Sequence, residues 1–222
     1  MTPTDISVVI PTLNEQESIA TCVQSALAAG AKEIIVADGG SEDDTKQCAQ
    51  QAGASQIIQS PPGRGTQLNA GARHANGNTL LFLHADNWLG ASCLQQICDC
   101  SDVIWGGFYQ RIDSKQQRYR WLERGNAARV KWRGYPFGDQ AIFVRRSVFE
   151  QQGGFPDSPL MEDVVFSQQM RRIAWPVLLP GPVTISSRRW EQNGVFRQTL
   201  RNWKIQIAHK LGVSPERLAK WY

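Results

Sequence analysis

The stretch Ile6-Ser-Val-Val-Ile-Pro-Thr-Leu-Asn-Glu15 carries the first information about the fold. Its apolar, β-branched residues run to Ile10 and end at Pro11, which is typical of a buried strand. Asn14 is followed three residues later by Glu17, the spacing of a capping box, so a helix is expected to begin there. A strand, a short loop and a helix in this order indicate the first unit of an α/β sheet.

The same alternation continues through the first half of the chain. Strand-like runs at 33–37, 56–59 and 79–83 are separated by short helical segments, which favours a mostly parallel sheet with right-handed crossovers. The second half is less regular and ends in an apolar stripe at helical spacing, made by Phe196, Leu200, Trp203, Ile207 and Leu211. We predict a single α/β domain over residues 1–222, with a Rossmann-like central sheet flanked by helices and a C-terminal amphipathic helix.

Composition excludes several classes of protein. The chain has 222 residues, of which 41% are hydrophobic and 20% charged, so it is not disordered or fibrous. No apolar run approaches the ~18 residues of a membrane span, and residues 1–5 show no signal-peptide pattern. Five cysteines, an odd number, suggest a reducing compartment. We expect a cytoplasmic protein.

Charge is distributed unevenly between the two halves of the chain. Residues 1–110 contain 4 Lys+Arg and 11 Asp+Glu, whereas residues 111–222 contain 20 and 9. An acidic half suits a metal ion, and a basic half suits phosphate, an anionic membrane surface or nucleic acid. The two halves are therefore expected to meet different partners.

Polar loops follow the predicted strands. Pro11–Glu15, Asp38–Gly40, Gly63–Gly65 and His84–Asp86 each come after a strand, and ligands of open α/β sheets bind at these carboxyl ends. The chain has neither a dinucleotide-binding Gly-x-Gly-x-x-Gly after the first strand nor a P-loop, which argues against a dehydrogenase and a P-loop enzyme. The edge instead offers carboxylates, an arginine and backbone amides.

In this order the segments resemble those of a family 2 glycosyltransferase of the GT-A fold, over roughly residues 5–210. The opening stretch and Ile34-Ile-Val-Ala-Asp-Gly-Gly-Ser-Glu-Asp-Asp-Thr45 are similar to the start of that family. Phe82-Leu-His-Ala-Asp86 stands where the family has its Asp-x-Asp metal motif. Gly138-Asp-Gln140, Met161-Glu-Asp163 and Arg188-Arg-Trp190 resemble its acceptor-side, catalytic and Arg-Trp segments. The small size and the His-Ala-Asp motif are most similar to a compact bacterial subgroup.

The resemblance implies a role for each matching position. The nucleoside pocket would be lined by Pro11, Thr12 and Glu15, with Asp38 on the base. Asp86 would bind Mn²⁺ or Mg²⁺ across the donor diphosphate, and Asp163 would be the general base. We add Arg64 as a diphosphate contact because it lies between glycines at a helix N-terminus. The remaining candidates are Glu162 and Asp139 for catalysis, Arg189 and Trp190 for donor binding, and His84 for the metal.

Two positions depart from the family pattern. His84 replaces the first Asp of Asp-x-Asp, and Ser186 stands where Gln would begin Gln-x-x-Arg-Trp. Several candidates also have a structural alternative. Asp38 and Asp139 suit turns, Glu162 and Asp163 suit the positive end of a helix dipole, and Trp190 suits packing. His84 suits a hydrogen-bonded structural role.

The leading hypothesis is a metal-dependent enzyme that moves a sugar from a nucleotide-sugar donor, most simply a UDP-sugar, to an acceptor hydroxyl with inversion. Residues 1–110 would bind the donor and residues 111–222 the acceptor. The alternatives are a non-catalytic nucleotide-sugar-binding module, motivated by His84, and a nucleotidyltransferase, whose expected glycine-rich loop is missing. No nucleic-acid recognition motif is present.

Basic residues of the second half also allow contact with an anionic lipid surface or a phosphorylated acceptor. We expect peripheral contact with the inner face of a membrane through a basic set: Arg118, Arg120, Arg124, Arg129, Lys131, Arg133, Arg197, Arg201 and Lys204.

Overall fold

The computed structural model describes residues 1–100, 102–194, 200–201, 204–208, 211–219 and 221. Its centre is one eight-stranded mixed sheet flanked by helices, which confirms the α/β prediction. The strands are β1 (Ile6–Thr12), β2 (Glu33–Asp38), β3 (Gln56–Gln59), β4 (Thr79–Phe82), β5 (Asn87–Leu89), β6 (Trp105–Ile112), β7 (Phe143–Arg145) and β8 (Val177–Ile185). They lie in the order β3-β2-β1-β4-β7-β6-β8-β5.

The helices of the described residues cover the two faces of this sheet. They are α1 (Ile19–Ala28), α2 (Thr45–Gln51), α3 (Arg64–His74), α4 (Cys93–Asp99), α5 (Gln117–Arg133), α6 (Arg146–Gln151), α7 (Glu162–Arg171), α8 (Arg188–Asn193) and α9 (Pro215–Ala219). Short 3₁₀ turns occupy Pro3–Asp5 and Gly138–Gln140. Residues 200–201 and 204–208 are also helical.

The first four strands are parallel, so their carboxyl ends point to the same edge of the sheet. β1 pairs with β2 and β4, and β2 pairs with β3, with Thr12 opposite Asp38 at the edge. Every residue of β1 is buried, because helices pack on both faces of a central parallel strand. The loops after these strands therefore open onto one edge of the sheet, as the sequence predicts.

Antiparallel pairs bring the second half of the chain to the same edge. β7 runs antiparallel to β4 and β6, and β5 runs antiparallel to β8. β6 and β8 are parallel, with an irregular register between Phe108 and Gln110. Consequently the segments after β4 and β8 and the segment before β7 surround a common space.

Asn14 does not cap a helix, contrary to the sequence prediction. α1 begins only at Ile19, with Ser18 as its N-cap residue. Asn14 adopts a left-handed φ of 54°, and its side-chain oxygen accepts a hydrogen bond from the Glu42 N–H at 3.0 Å. Because an Asn side chain can bond nearby backbone groups in several ways, capping spacing alone does not fix where a helix begins.

The C-terminal stripe differs from its prediction. Leu200, Ile207 and Leu211 are 63%, 59% and 79% exposed, whereas Phe196 and Trp203 lie outside the described residues. Among the described residues between 200 and 211, Ile205 is the buried one, and it packs in a small cluster with Met161 and Leu218. The segment 204–208 thus lies over the start of α7 through a different face from the one expected. Within the described residues, no helix is long and apolar enough to cross a membrane.

Candidate active site

A cavity of about 180 Å³ opens at the carboxyl edge of the sheet. Six of the residues singled out from the sequence line it, although they lie far apart in the chain: Arg64, His84, Asp86, Asp139, Asp163 and Trp190. Residues that the sequence analysis did not select complete the wall, notably Asn87, Phe137, Met161, Val164, Ile205 and Gln206. The cavity is the centre of the candidate site.

Asp163 is fixed at the first turn of α7 by two backbone bonds. The Gly138 N–H donates to Oδ2 and the Val164 N–H donates to Oδ1, both at 2.7 Å. A carboxylate has about four lone-pair sites, so both oxygens can still accept a proton from a ligand. The backbone therefore holds Asp163 in place, and its oxygens can still accept a proton.

His84 lies against the same backbone. A Cβ placed on Gly138 would be 2.5 Å from Nε2 of His84 and 3.4 Å from Oδ2 of Asp163. Because glycine has no Cβ, the backbone at Gly138 can lie close to the imidazole of His84. This glycine thus brings the end of β4 and the start of α7 together.

Asp139 is enclosed beside a half-buried arginine. Burial raises the pKa of Asp139, and the positive charge of Arg129 opposes that rise. Burial also lowers the pKa of Arg129 to about 10, while Asp139 and Asp163 act in the opposite direction. Arg129 donates to the Tyr135 carbonyl and to Oε1 of Gln140, at 3.1 and 3.0 Å. The carboxylate of Asp139 therefore lies within the electrostatic influence of Arg129, which bonds to other groups.

Glu162 holds Arg64 in place. Nη1 of Arg64 lies 3.1 Å from Oε1 of Glu162, and the glutamate side chain is only 2% exposed. Burial and the neighbouring Asp163 raise the pKa of Glu162, whereas Arg64 lowers it. The pair directs the guanidinium toward the cavity at the N-terminus of α3, where anions bind favourably. Glu162 contacts Arg64 and is not among the residues that line the described cavity.

The predicted nucleoside residues lie to one side of this cavity. Asp38 is fully buried, and its Oδ2 accepts hydrogen bonds from the Gly40 and Ser41 N–H groups, each at 3.0 Å. This is the turn-stabilising alternative that the sequence left open. Thr12 Oγ1 lies 3.5 Å from Asp38 Oδ1. Pro11 precedes Thr12 at the buried end of β1.

Glu15 connects the first loop with the C-terminal part of the chain. Its Oε2 accepts a hydrogen bond from Ser18 at 2.6 Å and lies 3.5 Å from Nη2 of Arg188. Arg188 also pairs with Glu17 at 2.8 Å. The start of α8 is thereby held against the β1–α1 loop.

The Arg-Trp segment forms the helix α8. The Trp190 ring lies 6.1 Å from the Tyr119 ring at 70°, an edge-to-face contact, and Trp190 also lines the cavity. Packing and ligand contact are therefore compatible for this residue. The side chain of Arg189, for which donor binding is predicted, lies outside the described part of the chain.

Asp86 and His84 provide one carboxylate and one imidazole to the cavity. In the described part of the chain, no three His, Cys, Asp or Glu residues are grouped as a complete metal site. Mg²⁺ is commonly held by one or two protein carboxylates together with substrate phosphates, and imidazole also suits Mn²⁺. The donor set therefore fits a divalent ion whose remaining ligands come from a diphosphate.

Sequence reasoning missed the amide that joins the first two strands. Gln67 is buried in α3, and its Nε2 donates to the Thr12 and Ala37 carbonyls at 2.7 and 2.9 Å. The available signal was a polar residue on an otherwise small-residue helix. Asn87 was also missed, and its Nδ2 donates to the Asp139 carbonyl at 3.3 Å.

The predicted basic set does not share a single environment. Arg120 pairs with Glu123 at 2.7 Å and donates to the Ile112 carbonyl, so its charge is paired within the protein. Arg129 is half-buried beside Asp139. Arg197 lies outside the described residues. Sequence spacing did not separate these residues from exposed ones, because α5 is polar on most of its surface.

Comparison with known proteins identifies the family. The family model described as Glycosyl transferase family 2 matches residues 7–153, which is more than half of the chain. The chain belongs to glycosyl transferase family 2. Asp163, α7 and α8 lie beyond the residues that the family model matches. The match therefore does not bear on the roles of those residues.

Two curated relatives match parts of this family 2 chain. Glycosyltransferase AglJ of Haloferax volcanii is 31% identical over 99 residues, 44% of this chain and 33% of that protein. Uncharacterized glycosyltransferase Mb0553 of Mycobacterium bovis is 29% identical over 132 residues, 58% of each chain. The match therefore spans between a third and somewhat more than half of the relatives' length.

Solved structures share the fold at low identity. S. aureus TarS 1–349 in complex with UDP has a TM-score of 0.64 at 18% identity, covering 84% of this chain and 61% of that one. Glucosyl-3-phosphoglycerate synthase from Mycobacterium tuberculosis, in complex with Mg²⁺ and UDP, has a TM-score of 0.56 at 18% identity, covering 82% and 69%. The GT-A fold expected from the sequence is thus confirmed.

Proposed function

We propose that this protein transfers a sugar from a nucleotide-sugar donor, most simply a UDP-sugar, to an acceptor hydroxyl with inversion at the anomeric carbon. The carrying observation is that Asp86, His84, Arg64 and Asp163 line one cavity at the carboxyl edge of the sheet. Family membership favours this activity over a nucleotidyltransferase. Solved structures of the same fold contain UDP or UDP-GlcNAc, which supports the choice of donor.

The donor would lie against the first half of the chain, residues 1–110. Arg64, held by Glu162, contacts the diphosphate beside the N-terminal amides of α3. Asp86 and His84 would hold Mn²⁺ or Mg²⁺, which supplies Lewis-acid stabilisation of the diphosphate leaving group. Pro11, Thr12, Glu15 and Asp38 form the nucleoside end of this proposal.

The acceptor would enter from the second half, residues 111–222. Asp163 takes the proton of the acceptor hydroxyl as its oxygen bonds to the anomeric carbon. The bond from that carbon to the diphosphate oxygen breaks on the opposite face, and the electron pair leaves with the nucleoside diphosphate. Asp139 is the competing base, but its carboxylate is enclosed beside Arg129.

A thermal-shift panel tests the donor and the metal together. UDP, GDP, dTDP and UDP-GlcNAc are added with and without Mn²⁺, since a ligand that binds only the folded state stabilises it. We expect UDP compounds to raise Tm with Mn²⁺ and the Asp86→Ala variant to lose the Mn²⁺-dependent part. The Asp99→Ala variant, altered at an exposed carboxylate on α4, is the control.

Turnover separates the proposed enzyme from a binding module. Release of UDP from UDP-sugars is measured with Mn²⁺, alone and with candidate hydroxyl acceptors. UDP release supports the enzyme. Tight, metal-dependent binding of UDP-sugars without hydrolysis or transfer would support the non-catalytic alternative. Absence of any nucleotide binding would contradict both.

We also propose that the protein is cytoplasmic and makes peripheral contact with a membrane. Trp121 and Trp132 are exposed on α5, and the same helix carries the exposed basic residues Arg118 and Lys131. Tryptophan and basic side chains are favoured at the boundary between lipid and water. This surface supports the membrane prediction made from the charge distribution.

A further inference from the structure

A second cavity, of about 350 Å³, lies next to the candidate active site. It is lined by three arginines, three aromatic residues and two glutamines, together with Met161 and Val164, and none of these residues is acidic: Arg129, Trp132, Arg133, Tyr135, Phe137, Gln168, Arg171 and Gln206. We call it the arginine pocket. Its charge is opposite to that of the neighbouring site, which contains Asp86, Asp139 and Asp163.

The two cavities share a wall. Phe137, Met161, Val164 and Gln206 line both of them. Asp163 lies between Met161 and Val164 in the chain and lines the active-site cavity. A molecule held in the arginine pocket can therefore extend past this wall toward the proposed base.

Two of the three arginines of the pocket, Arg129 and Arg171, contact aromatic residues. Arg171 donates to the Tyr135 hydroxyl at 2.6 Å, and its guanidinium carbon lies 5.1 Å from the Tyr135 ring and 4.9 Å from the Trp175 ring. Arg129 lies 3.2 Å from the centre of the Phe137 ring. Within the described part of the chain Arg171 donates this one hydrogen bond, so the other N–H donors of its guanidinium are available to a ligand.

Three positively charged side chains line this pocket. Burial lowers the pKa of Arg129 and the nearby Arg133 lowers it further by repulsion, whereas Asp139 and Asp163 on the other side of the wall act in the opposite direction. Cations held together beside aromatic rings form a strong site for an anion, and the planar guanidinium matches phosphate geometry bidentately. A bound phosphate would offset the repulsion between these side chains.

We propose that the arginine pocket binds a phosphate group carried by the acceptor, so that the substrate class is a phosphorylated molecule with a free hydroxyl. This inference rests on the proposed function for the meaning of the acceptor, but the phosphate site itself does not require it. The phosphate occupies the pocket, and the hydroxyl reaches Asp163 across the wall formed by Met161 and Val164.

Inorganic phosphate is the first probe. Thermal shift is followed as phosphate replaces chloride at constant ionic strength, with saturating UDP and Mn²⁺ present and absent. We expect saturable stabilisation of the wild type in both conditions. In Arg133→Gln and Arg171→Gln the apparent Kd for phosphate should rise at least about tenfold, the loss of a charge-assisted hydrogen bond.

Arg172→Gln is the matched control. Arg172 is exposed, follows Arg171 directly and does not line the pocket, so the variant loses the same charge and should bind phosphate like the wild type. Equal weakening in Arg171→Gln and Arg172→Gln would overturn the proposal. So would loss of phosphate binding when UDP fills the donor site, or a wild-type response that never saturates.

A second probe identifies the source of the phosphate. The protein is sedimented with phosphatidylcholine vesicles that contain phosphatidate or lack it. Phosphatidate-dependent retention that Arg171→Gln abolishes supports a lipid-borne phosphate. Absence of retention, with phosphate binding intact, supports a soluble phosphorylated acceptor. UDP binding without phosphate binding refutes only the pocket, whereas phosphate binding without UDP binding refutes only the proposed donor.

Discussion

Asp163→Asn is the substitution that tests the proposed chemistry most directly. Asn has nearly the same shape, but its amide nitrogen cannot accept a hydrogen bond or a proton. Of the two backbone donors that Asp163 now accepts, from Gly138 and Val164, one can be kept by the remaining oxygen. The variant therefore loses the base and one hydrogen bond while preserving the packing at the start of α7.

Two magnitudes follow from this geometry. General-base catalysis contributes roughly 10²–10⁴-fold, so kcat should fall by about that factor, equivalent to ~2.7–5.4 kcal/mol in the barrier. Losing one charge-assisted bond to backbone should lower the free energy of unfolding by about 1.5–3 kcal/mol. Donor affinity should change little, because most of the proposed donor contacts lie in the first half of the chain.

The assay measures UDP release, UDP affinity by calorimetry and urea unfolding for each variant. Asp157→Asn is the matched control, because Asp157 is exposed, precedes α7 on the same segment and accepts one hydrogen bond from Thr66 at 2.9 Å. It should retain kcat. Near wild-type turnover in Asp163→Asn, together with an inactive Asp139→Asn, would refute the assignment and exchange the two roles.

Three further predictions use other contacts. Asp38→Ala leaves the Gly40 and Ser41 N–H groups without their acceptor, so the free energy of unfolding should fall by about 2–4 kcal/mol in urea titrations; weaker UDP binding at unchanged stability would instead support contact with the base. Gly138→Ala must displace the His84 imidazole, 2.5 Å from the new Cβ, and turnover should fall by about 10²-fold. The control Gly125→Ala, with open space around its Cβ, should remain active. Equal activity of the two variants would contradict the close approach of Gly138 to His84. Burial acts to raise the pKa of Glu33, but hydrogen bonds from Ser7 and Asn76 lower it overall. Wild type should therefore be more stable than Glu33→Gln above about pH 4.5. This difference in stability should be lost as pH falls through the lowered pKa. Urea unfolding between neutral and acid pH measures this difference, and a gap independent of pH would argue against the ionised glutamate as its source.

The first half of the sheet could be predicted because its signals are local. Strand β3 matches its predicted bounds of 56–59, and β1, β2 and β4 begin where the apolar runs begin. Short β-branched runs between turn-forming residues leave few alternatives. The convergence of the loops on one edge then follows from the parallel order.

Contacts between distant segments could not be predicted in the same way. β5 has only three residues and is defined by its pairing with β8, about ninety residues later. Arg129 resembled the other charges of α5, and only the tertiary fold places it beside Asp139. Met161 takes a left-handed φ of 68° before α7, which its residue type does not suggest. The walls of the candidate site depend on such features.

The residues matched by the family model end at 153, before much of the cavity wall begins. The wall that the proposal assigns to the acceptor comes from Met161 to Val164, from Ile185 to Trp190 and from the segment that contains Gln206. In genetic terms, the proposed donor half and this late part of the wall are encoded by separate stretches of the gene. For protein engineering, a mutant library confined to these late segments would search for new acceptors while leaving β1, β2 and the Asp86 loop unchanged.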